Sequence, residues 1–195
     1  YNNFHRTTAI TPVKQWAGDT GSGDGMLSVT MRLDYSIDGG ATYYPVEVIN
    51  GKYVFDFGTE TAGTSVLTQN VSITGGWKGV KWDKLPTAMV VDGAVKYVSY
   101  RIVETAYTTS SATTPIESDR FAVNNGYYTI GRSGGSDNEG GQLLTITNTF
   151  NATESLSVNA NKTWSGDESE EYSDNRPKAI LVKLQQRSSA NWQWV

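Results

Sequence analysis

The chain of 195 residues contains no cysteine and a single histidine, His5. Without cysteine it can form neither disulfides nor thiolate metal sites, and it has no cysteine nucleophile. One histidine makes a histidine-based catalytic triad or zinc site very difficult to assemble. We therefore predict that the chain is not a turnover enzyme and that it uses no cofactor and no metal.

The chain also has no excess of positive charge and no long apolar run. Its formal net charge is −4 and its isoelectric point is about 5.0, which disfavours nucleic acid and other acidic partners. No apolar segment approaches the length of a bilayer span, and residues 1–6 are too polar for a signal peptide. These absences predict a segment that contacts neither nucleic acid nor membrane.

The residues that are abundant are those typical of β-strands and turns. Thr, Val, Tyr and Gly are frequent, and runs of alternating apolar and polar residues lie between turn signals at 27–34, 43–57 and 96–106. No segment keeps helical spacing long enough to predict a helix. The pattern predicts an all-β fold, and the length suits one β-sandwich plus part of another.

An internal repeat indicates how the chain is organised. Residues 10–19 align with residues 158–167, so that Lys14 corresponds to Lys162 and Trp16 to Trp164, at an offset of 148 residues. Residues 28–33 align with 179–184 in the same order. Because the same pattern begins twice, we predict tandem β-sandwich modules. The predicted divisions are a tail of a preceding module at 1–5, a complete module at 6–151, a short linker at 152–155 and an incomplete second module at 156–195.

Three polar residues occupy positions that the strand alternation marks as interior. Residues of one parity share one face of a strand. Lys14 falls on the face of Ile10 and Pro12, Glu104 on the face of Ile102, and Asn148 on the face of Ile146. Burying any one of the three without a partner is costly, so the alternation predicts that they meet in the core.

The sequence leaves three interpretations of these residues open. The lysine could extend its stem along the core and keep its ammonium in water. The three side chains could form a hydrogen-bonded ion pair beside an amide. In the third interpretation they react: a dry site favours neutral amine and neutral carboxylic acid, so Lys14 attacks the Asn148 amide while Glu104 promotes proton transfer and ammonia leaves.

At this point the sequence resembles the collagen-adhesin B-type repeat (the Cna protein B-type domain) of Gram-positive surface adhesins and pilins. The elements that carry the resemblance follow one another in order over nearly the whole chain. They are Val13-Lys14-Gln15-Trp16, Trp82-Asp83-Lys84-Leu85-Pro86, Val95-Lys96-Tyr97, Tyr100-Arg101-Ile102-Val103-Glu104, Thr145-Ile146-Thr147-Asn148-Thr149-Phe150, Asn161-Lys162-Thr163-Trp164, Asn175-Arg176-Pro177 and Ile180-Leu181-Val182-Lys183-Leu184.

The resemblance implies an immunoglobulin-like β-sandwich of reversed strand topology with an intramolecular Lys–Asn isopeptide bond promoted by an acidic residue. It implies Lys14 and Asn148 as the linked residues and Glu104 as the promoter. It also implies an extracellular, cell-wall-anchored surface protein or pilus whose partners are neighbouring modules of the same polypeptide. The second module ends before any equivalent of Glu104 or Asn148, so Lys162 is expected to have no cross-linking partner within this chain.

A second function is compatible with the same sequence. The stretches 38–67 and 107–141 are longer than a compact module needs, and the tryptophans Trp77, Trp82, Trp192 and Trp194 could supply a stacking surface. The alternative is therefore a ligand-binding β-sandwich that recognises a host extracellular protein or glycan. The Asp- and Gly-rich loops at 19–25 and 134–140 offer oxygen atoms to calcium, although neither fits an EF-hand, and solvated turns are the favoured interpretation.

Overall fold

A computed structural model describes residues 6–18, 25–59, 61–123, 126–136, 140–152, 158–165, 176–188 and 191–194, the strands of 185–188 and 191–194 by their backbone alone. The chain divides into two compact units, Tyr1–Thr153 and Glu154–Val195. This division falls within the predicted linker at 152–155. The predicted tail at 1–5 and residues 153–155 of the linker lie outside the described residues.

The first unit contains fifteen strands and, among its described residues, no helix. This confirms the prediction of an all-β fold for the described part of the chain. The strands are β1 (Thr7–Ala17), β2 (Ser28–Ser36), β3 (Tyr44–Pro45), β4 (Glu47–Ile49), β5 (Lys52–Val54), β6 (Ser65–Val66), β7 (Thr68–Ser72), β8 (Trp82–Pro86), β9 (Ala88–Val91), β10 (Ala94–Tyr97), β11 (Ser99–Thr108), β12 (Thr113–Pro115), β13 (Arg120–Val123), β14 (Gly126–Ser136) and β15 (Gln142–Ala152).

Five of these strands form a sheet, here called sheet I, in the order β13-β14-β15-β1-β8. The first and last long strands of the unit, β1 and β15, pair in parallel, with Trp16 opposite Asn148 and Lys14 opposite Ile146. β14 runs antiparallel to β15 and places Ile130 opposite Asn148 and Arg132 opposite Ile146. Sheet I therefore brings the first and last strands of the first unit, more than 130 residues apart in sequence, into direct pairing.

The second five-stranded arrangement, sheet II, has the order β12-β11-β2-β3, with β7 also pairing with β2. β11 and β2 are antiparallel along nearly their whole length, and Glu104 lies opposite Met31. The register shifts between Glu104 and Ala106, so Thr105 is the extra residue of a β-bulge. Bulges redirect the neighbouring side chains and are common beside functional sites.

The two sheets enclose one hydrophobic core, an arrangement consistent with a β-sandwich. The side chains that face each other across it alternate along their strands with more exposed residues, which is the pattern expected of half-buried strands. The buried core residues are Ile10, Val29, Met31, Leu33, Tyr35, Val46, Val71, Trp82, Leu85, Ile102 and Ile146.

The long stretch at 38–67 builds a small structure of its own. Its first strand, β3, joins sheet II beside β2, and its other three strands form a sheet in the order β5-β4-β6. The β9-β10 hairpin is a second small element, and it turns at Asp92 and Gly93, whose φ angles are 51° and 77°. A two-residue turn with both residues in the left-handed region is the usual hairpin connection, which explains the Asp-Gly pair.

In the second unit the structure describes one hairpin, β16 (Gln185–Ser188) paired with β17 (Asn191–Trp194). Its described residues at 158–165 and 176–184 are in no assigned strand and are almost all exposed. Over the described parts of both units, no helix is long and apolar enough to cross a membrane.

Candidate functional site

The candidate site lies between sheet I and sheet II, where Lys14, Glu104 and Asn148 converge. Their residues are 2%, 2% and 0% exposed. Lys14 comes from β1, Asn148 from the neighbouring strand β15, and Glu104 from β11 in the opposite sheet. The structure thus brings together the three residues that strand alternation placed in the interior.

Sheet geometry explains how Lys14 reaches Asn148. The two residues are diagonal neighbours on one face, because Asn148 lies opposite Trp16 and Lys14 is two positions before Trp16. Same-face positions are roughly 6.6 Å apart along a strand and adjacent strands are about 4.8 Å apart. The long lysine side chain can span such a diagonal, so the parallel pairing of β1 with β15 positions the amine and the amide for contact.

Glu104 contacts both partners. Its Oε2 lies 3.5 Å from Lys14 Nζ, and its Oε1 accepts a 3.1 Å hydrogen bond from Asn148 Nδ2. The contact with Lys14 is longer than a well-formed hydrogen bond. Among the described residues, neither Glu104 Oε2 nor Asn148 Oδ1 has a hydrogen-bond partner. Two buried oxygen atoms are therefore left without full compensation beside an amine, which is costly in a purely structural network.

Burial controls the charge of Glu104. Desolvation raises the pKa of its carboxyl group above the ordinary value of 4.5, and the charge of Lys14 and the Asn148 hydrogen bond oppose that rise without cancelling it. Desolvation penalises the ionised form, so a proton on Glu104 is favoured relative to an exposed glutamate. The shift of the pKa is in the direction that a general acid needs.

An aromatic ring lies over the lysine amine and is itself packed against two others. Lys14 Nζ lies 4.0 Å from the ring centroid of Trp16, and Nζ donates a hydrogen bond to the carbonyl of Gln15. The Trp16 ring in turn packs edge-on against Trp77 and Tyr128, with centroids 5.3 and 5.2 Å apart. The Trp77 carbonyl accepts the backbone N–H of Lys14. The Trp16 ring therefore covers the amine, and the hydrogen bond to the Trp77 carbonyl holds the backbone of β1.

Sequence reasoning missed one charged residue near the site, Arg132. Its Nε donates to the carbonyl of Ile102 at 3.2 Å and its Nη2 to Asp119 Oδ1 at 2.6 Å. The available signal was strand parity. Arg132 lies at the same parity as Tyr128 and Ile130, whose side chains face the core, so all three share one face of β14. The intervening glycine and the following Ser-Gly-Gly run concealed that this face continues to Arg132.

A second buried carboxylate, Asp34, has a structural explanation. It is 1% exposed and accepts hydrogen bonds from the guanidinium groups of Arg32 and Arg101. Arg101 also stacks over the Tyr43 ring, 4.0 Å from its centroid. Asp34 is thus compensated by two arginines on strands β2 and β11, and it differs in this from Glu104.

Lys162 of the second unit lies in an open environment. Its Nζ donates to the Thr163 carbonyl and lies 4.0 Å from the ring centroid of Trp164. The residue is exposed. The contacts described for Lys162 are therefore local ones.

Of the surfaces that could bind a ligand, the described residues form a cleft, whereas the predicted tryptophans form no described stacking surface. A cleft of about 410 Å³ is lined by Lys52, Tyr53, Phe55, Asp83 and Lys84 among others. Trp77 and Trp82 pack in or against the core, and the side chains of Trp192 and Trp194 lie outside the described residues.

Within the described part of the chain, no group of three or more acidic or histidine side chains could hold a metal ion. Residues 19–24 and 137–139 of the two acidic loops lie outside the described part.

Comparison with family models, with curated proteins and with solved structures finds no match for this chain.

Proposed function

We propose that the chain is a structural stalk or pilin-type module of a Gram-positive cell-surface adhesin or pilus, stabilised by an autocatalytic isopeptide bond between Lys14 and Asn148. The observation that carries the proposal is the buried contact of Lys14, Glu104 and Asn148, with 3.5 and 3.1 Å from the carboxylate to the two partners. The reversed immunoglobulin-like topology and the tandem modules belong to the same proposal.

The first step is the formation of a neutral amine. Lys14 transfers a proton to Glu104, whose pKa is raised by burial. In a dry site the neutral amine and neutral acid compete well with the ion pair. Rotation of the Asn148 amide exchanges Nδ2 and Oδ1, so that protonated Glu104 donates to the carbonyl oxygen that otherwise has no described partner. The carbonyl carbon is then polarised towards the lysine.

The second step exchanges one amide for another. Lys14 Nζ forms a bond to Asn148 Cγ, Glu104 accepts a proton from Nζ and passes it to Nδ2, and the Cγ–Nδ2 bond breaks. The products are a secondary amide and one molecule of ammonia, so atoms and charges balance without an external reagent. Glu104 is regenerated, but the lysine is consumed, so the reaction occurs once per molecule.

The bond would join the first and last long strands of the unit. Lys14 and Asn148 are 134 positions apart, and the chain-entropy model used for disulfides gives a stabilisation of about 5 kcal/mol for a loop of that size. Tension applied along the stalk would pass between β1 and β15 through covalent bonds. A cysteine-free protein would thereby gain a staple that reducing conditions do not open.

The test is the intact mass of the folded full-length chain. We expect the wild-type mass to be lower by one ammonia, and the full mass to remain in Glu104→Gln because general acid–base catalysis contributes roughly 10²- to 10⁴-fold. Glu117→Gln is the matched control, because Glu117 is exposed, and it should lose ammonia as the wild type does. A well-folded wild-type chain of full mass would exclude the cross-link.

The alternative function, recognition of a host protein or glycan, is favoured by the cleft beside β5 and β8. It combines two aromatic rings, Tyr53 and Phe55, with the charged groups of Asp83, Lys52 and Lys84. Rings with nearby polar groups are a common arrangement for ligand binding. Glycan-array binding that depends on Tyr53 would add this function, and a cross-linked module is compatible with it.

A further inference from the structure

Arg132 lies in the same row of sheet I as the reactive lysine. Lys14 on β1 and Arg132 on β14 both pair with Ile146 of the strand between them. The next row contains Trp16, Asn148 and Ile130 in the same order. Two cationic side chains therefore flank the centre of sheet I one row from the reactive amide, and Glu104 faces that region from sheet II.

Hydrogen bonds fix the position of the Arg132 guanidinium. Its Nε bonds to the Ile102 carbonyl, two residues before Glu104 on β11, so Arg132 connects sheet I with the strand that carries the carboxylate. Its Nη2 bonds to Asp119 at 2.6 Å. The arginine side chain is 33% exposed and the aspartate side chain 65% exposed. Arg132 therefore reaches from the solvent-accessible rim towards the buried site.

The placement of Arg132 beside β11 predicts an electrostatic interaction with Glu104. The charge of Arg132 contributes to lowering the pKa of Glu104, after the larger effects of Lys14 and Asn148. The carboxylates of Asp119 and Glu104 both raise the pKa of Arg132, with the Asp119 hydrogen bond as the largest cause. Arg132 is thus the second cation, after Lys14, that acts on the buried carboxyl group.

The other elements packed around Glu104 add little competing charge. On β2, Glu104 lies opposite the apolar side chain of Met31. β15 supplies the neutral amide of Asn148, and β1 supplies Lys14. Farther along sheet II, Asp34 is held by Arg32 and by Arg101 of β11. Apart from Lys14, the groups named here that face Glu104 are uncharged, and the ion pair of Arg132 with Asp119 lies at the rim of the site.

We propose that Arg132 is a positioning residue for the cross-linking reaction, and that its guanidinium, held by Asp119, sets the pH range in which Glu104 and Lys14 share the single proton that the reaction needs. This inference rests on the proposed function. Ammonia release requires one proton on the Glu104–Lys14 pair: two protons block the amine and none leaves the acid unable to donate. The rate should therefore be bell-shaped in pH.

Removal of the Arg132 charge and removal of the Asp119 charge should move the pH–rate profile in opposite directions. Removing the positive charge in Arg132→Gln favours protonated states of the pair, so both limbs move to higher pH. A unit charge on the order of 10 Å away at an effective dielectric constant of about 20 corresponds to a shift of about one pH unit. Removing the negative charge in Asp119→Asn has the reverse effect, and the shift to lower pH is smaller because Asp119 is more exposed.

The experiment starts from the full-length chain recovered in denaturant before it has folded, with the full mass that shows the bond is not yet formed. The chain is diluted into buffers of different pH, ammonia loss is followed by intact mass, and circular dichroism records folding. Arg132→Lys keeps the charge and should restore the wild-type profile. Arg120→Gln is the control, because Arg120 is an exposed residue of β13 whose guanidinium stacks on Tyr127, and it should leave the profile unchanged. Opposite shifts in Arg132→Gln and Asp119→Asn would support the inference.

The inference about Arg132 would be overturned if the pH–rate profiles of the variants coincide in pH with that of the wild type, including profiles that differ only in amplitude. A purely structural role lowers the rate without moving the limbs of the profile along the pH axis.

A second measurement does not depend on the reaction. In Lys14→Met, the ¹³C titration of the Glu104 carboxyl should move to higher pH when Arg132→Gln is added, and an unchanged titration counts against the inference. If the wild-type chain folds and reacts but the profiles coincide, this inference alone fails; if it folds without losing ammonia, the proposed function fails as well.

Discussion

Lys14 and Lys162 have the same local geometry in very different surroundings. In both, Nζ lies 4.0 Å from the ring centroid of the tryptophan two residues later, and in both Nζ donates to the carbonyl of the intervening residue. Lys14 is 2% exposed, whereas Lys162 is exposed. The short Lys-X-Trp sequence is therefore sufficient to pair amine and ring, but it does not bury them.

The difference lies in residues that are distant in the sequence. Lys14 gains Glu104 from β11 and Asn148 from β15. The desolvation that raises the pKa of Glu104 comes from packing two sheets together, not from the segment around the lysine. In the proposed reaction the repeated motif supplies the amine, whereas the acid, the amide and the dry environment come from distant strands of the first unit.

The largest expected effect is the loss of the cross-link in Lys14→Met. The free energy of unfolding should fall by about 5 kcal/mol, because the unfolded chain is no longer constrained by a loop of 134 residues. Lys162→Met, at the equivalent position of the repeat, should change it by no more than about 0.5 kcal/mol, as for other exposed substitutions. Denaturant unfolding followed by tryptophan fluorescence measures both.

An equal loss in the free energy of unfolding for Lys14→Met and Lys162→Met would contradict the proposed difference between the two lysines. Lys14→Met also removes the ion pair with Glu104, so the loss is assigned to the bond when Asn148→Ala, also of full mass, shows it too. Asn148→Ala provides a second way to remove the bond, and its mass should also show no ammonia loss. A cross-linked mass in either variant would mean that another lysine or amide reacts.

The next effect is a dependence of stability on pH in the chain without the bond. In Lys14→Met the folded pKa of Glu104 lies above its unfolded value near 4.5, because burial raises it and the opposing lysine charge is gone. The folded state then binds the proton more tightly, so stability is greatest below pH 4.5 and falls as pH rises through the folded pKa, at up to about 1.4 kcal/mol per pH unit.

The double variant Lys14→Met/Glu104→Gln should lack this fall, since glutamine does not titrate. Urea unfolding of the single and double variants between pH 4 and 8 compares the two. Parallel stability curves would show that Glu104 ionises in the folded chain as readily as in the unfolded one. Desolvation of Glu104 would then no longer explain how the surroundings of Lys14 differ from those of Lys162.

Strand parity predicted the inward positions of Lys14, Glu104 and Asn148, because each lies in a long alternating run with apolar neighbours. It also predicted an all-β chain, which is confirmed for the described residues. It did not predict the parallel register that places Trp16 beside Asn148, since register is a long-range property of the sheet. Arg132 was missed because its strand continues into a Ser-Gly-Gly run that lacks apolar markers. The alternating run at 43–57 predicted strands, and β3, β4 and β5 lie within it; the pairing of β4 with β5 and β6 in a separate small sheet was not predicted.

The smallest expected effect concerns the tryptophan that accompanies each lysine. Trp16→Phe removes ring contacts with Trp77 and Tyr128 in a buried cluster, and we expect a loss of about 1–3 kcal/mol in the free energy of unfolding. Trp164→Phe changes a ring that is 39% exposed, and the expected change is at most about 0.5 kcal/mol.

Both substitutions retain an aromatic face for the lysine, so a difference between them reports the packing around the ring and not the cation–π contact itself. Thermal unfolding of the two variants beside the wild-type chain measures that difference. If Trp164→Phe costs as much as Trp16→Phe, the surroundings of Lys162 are as closely packed as those of Lys14. The Lys-X-Trp motif would then be closely packed in both units, and the proposed reactivity of Lys14 would depend on Glu104 and Asn148 alone.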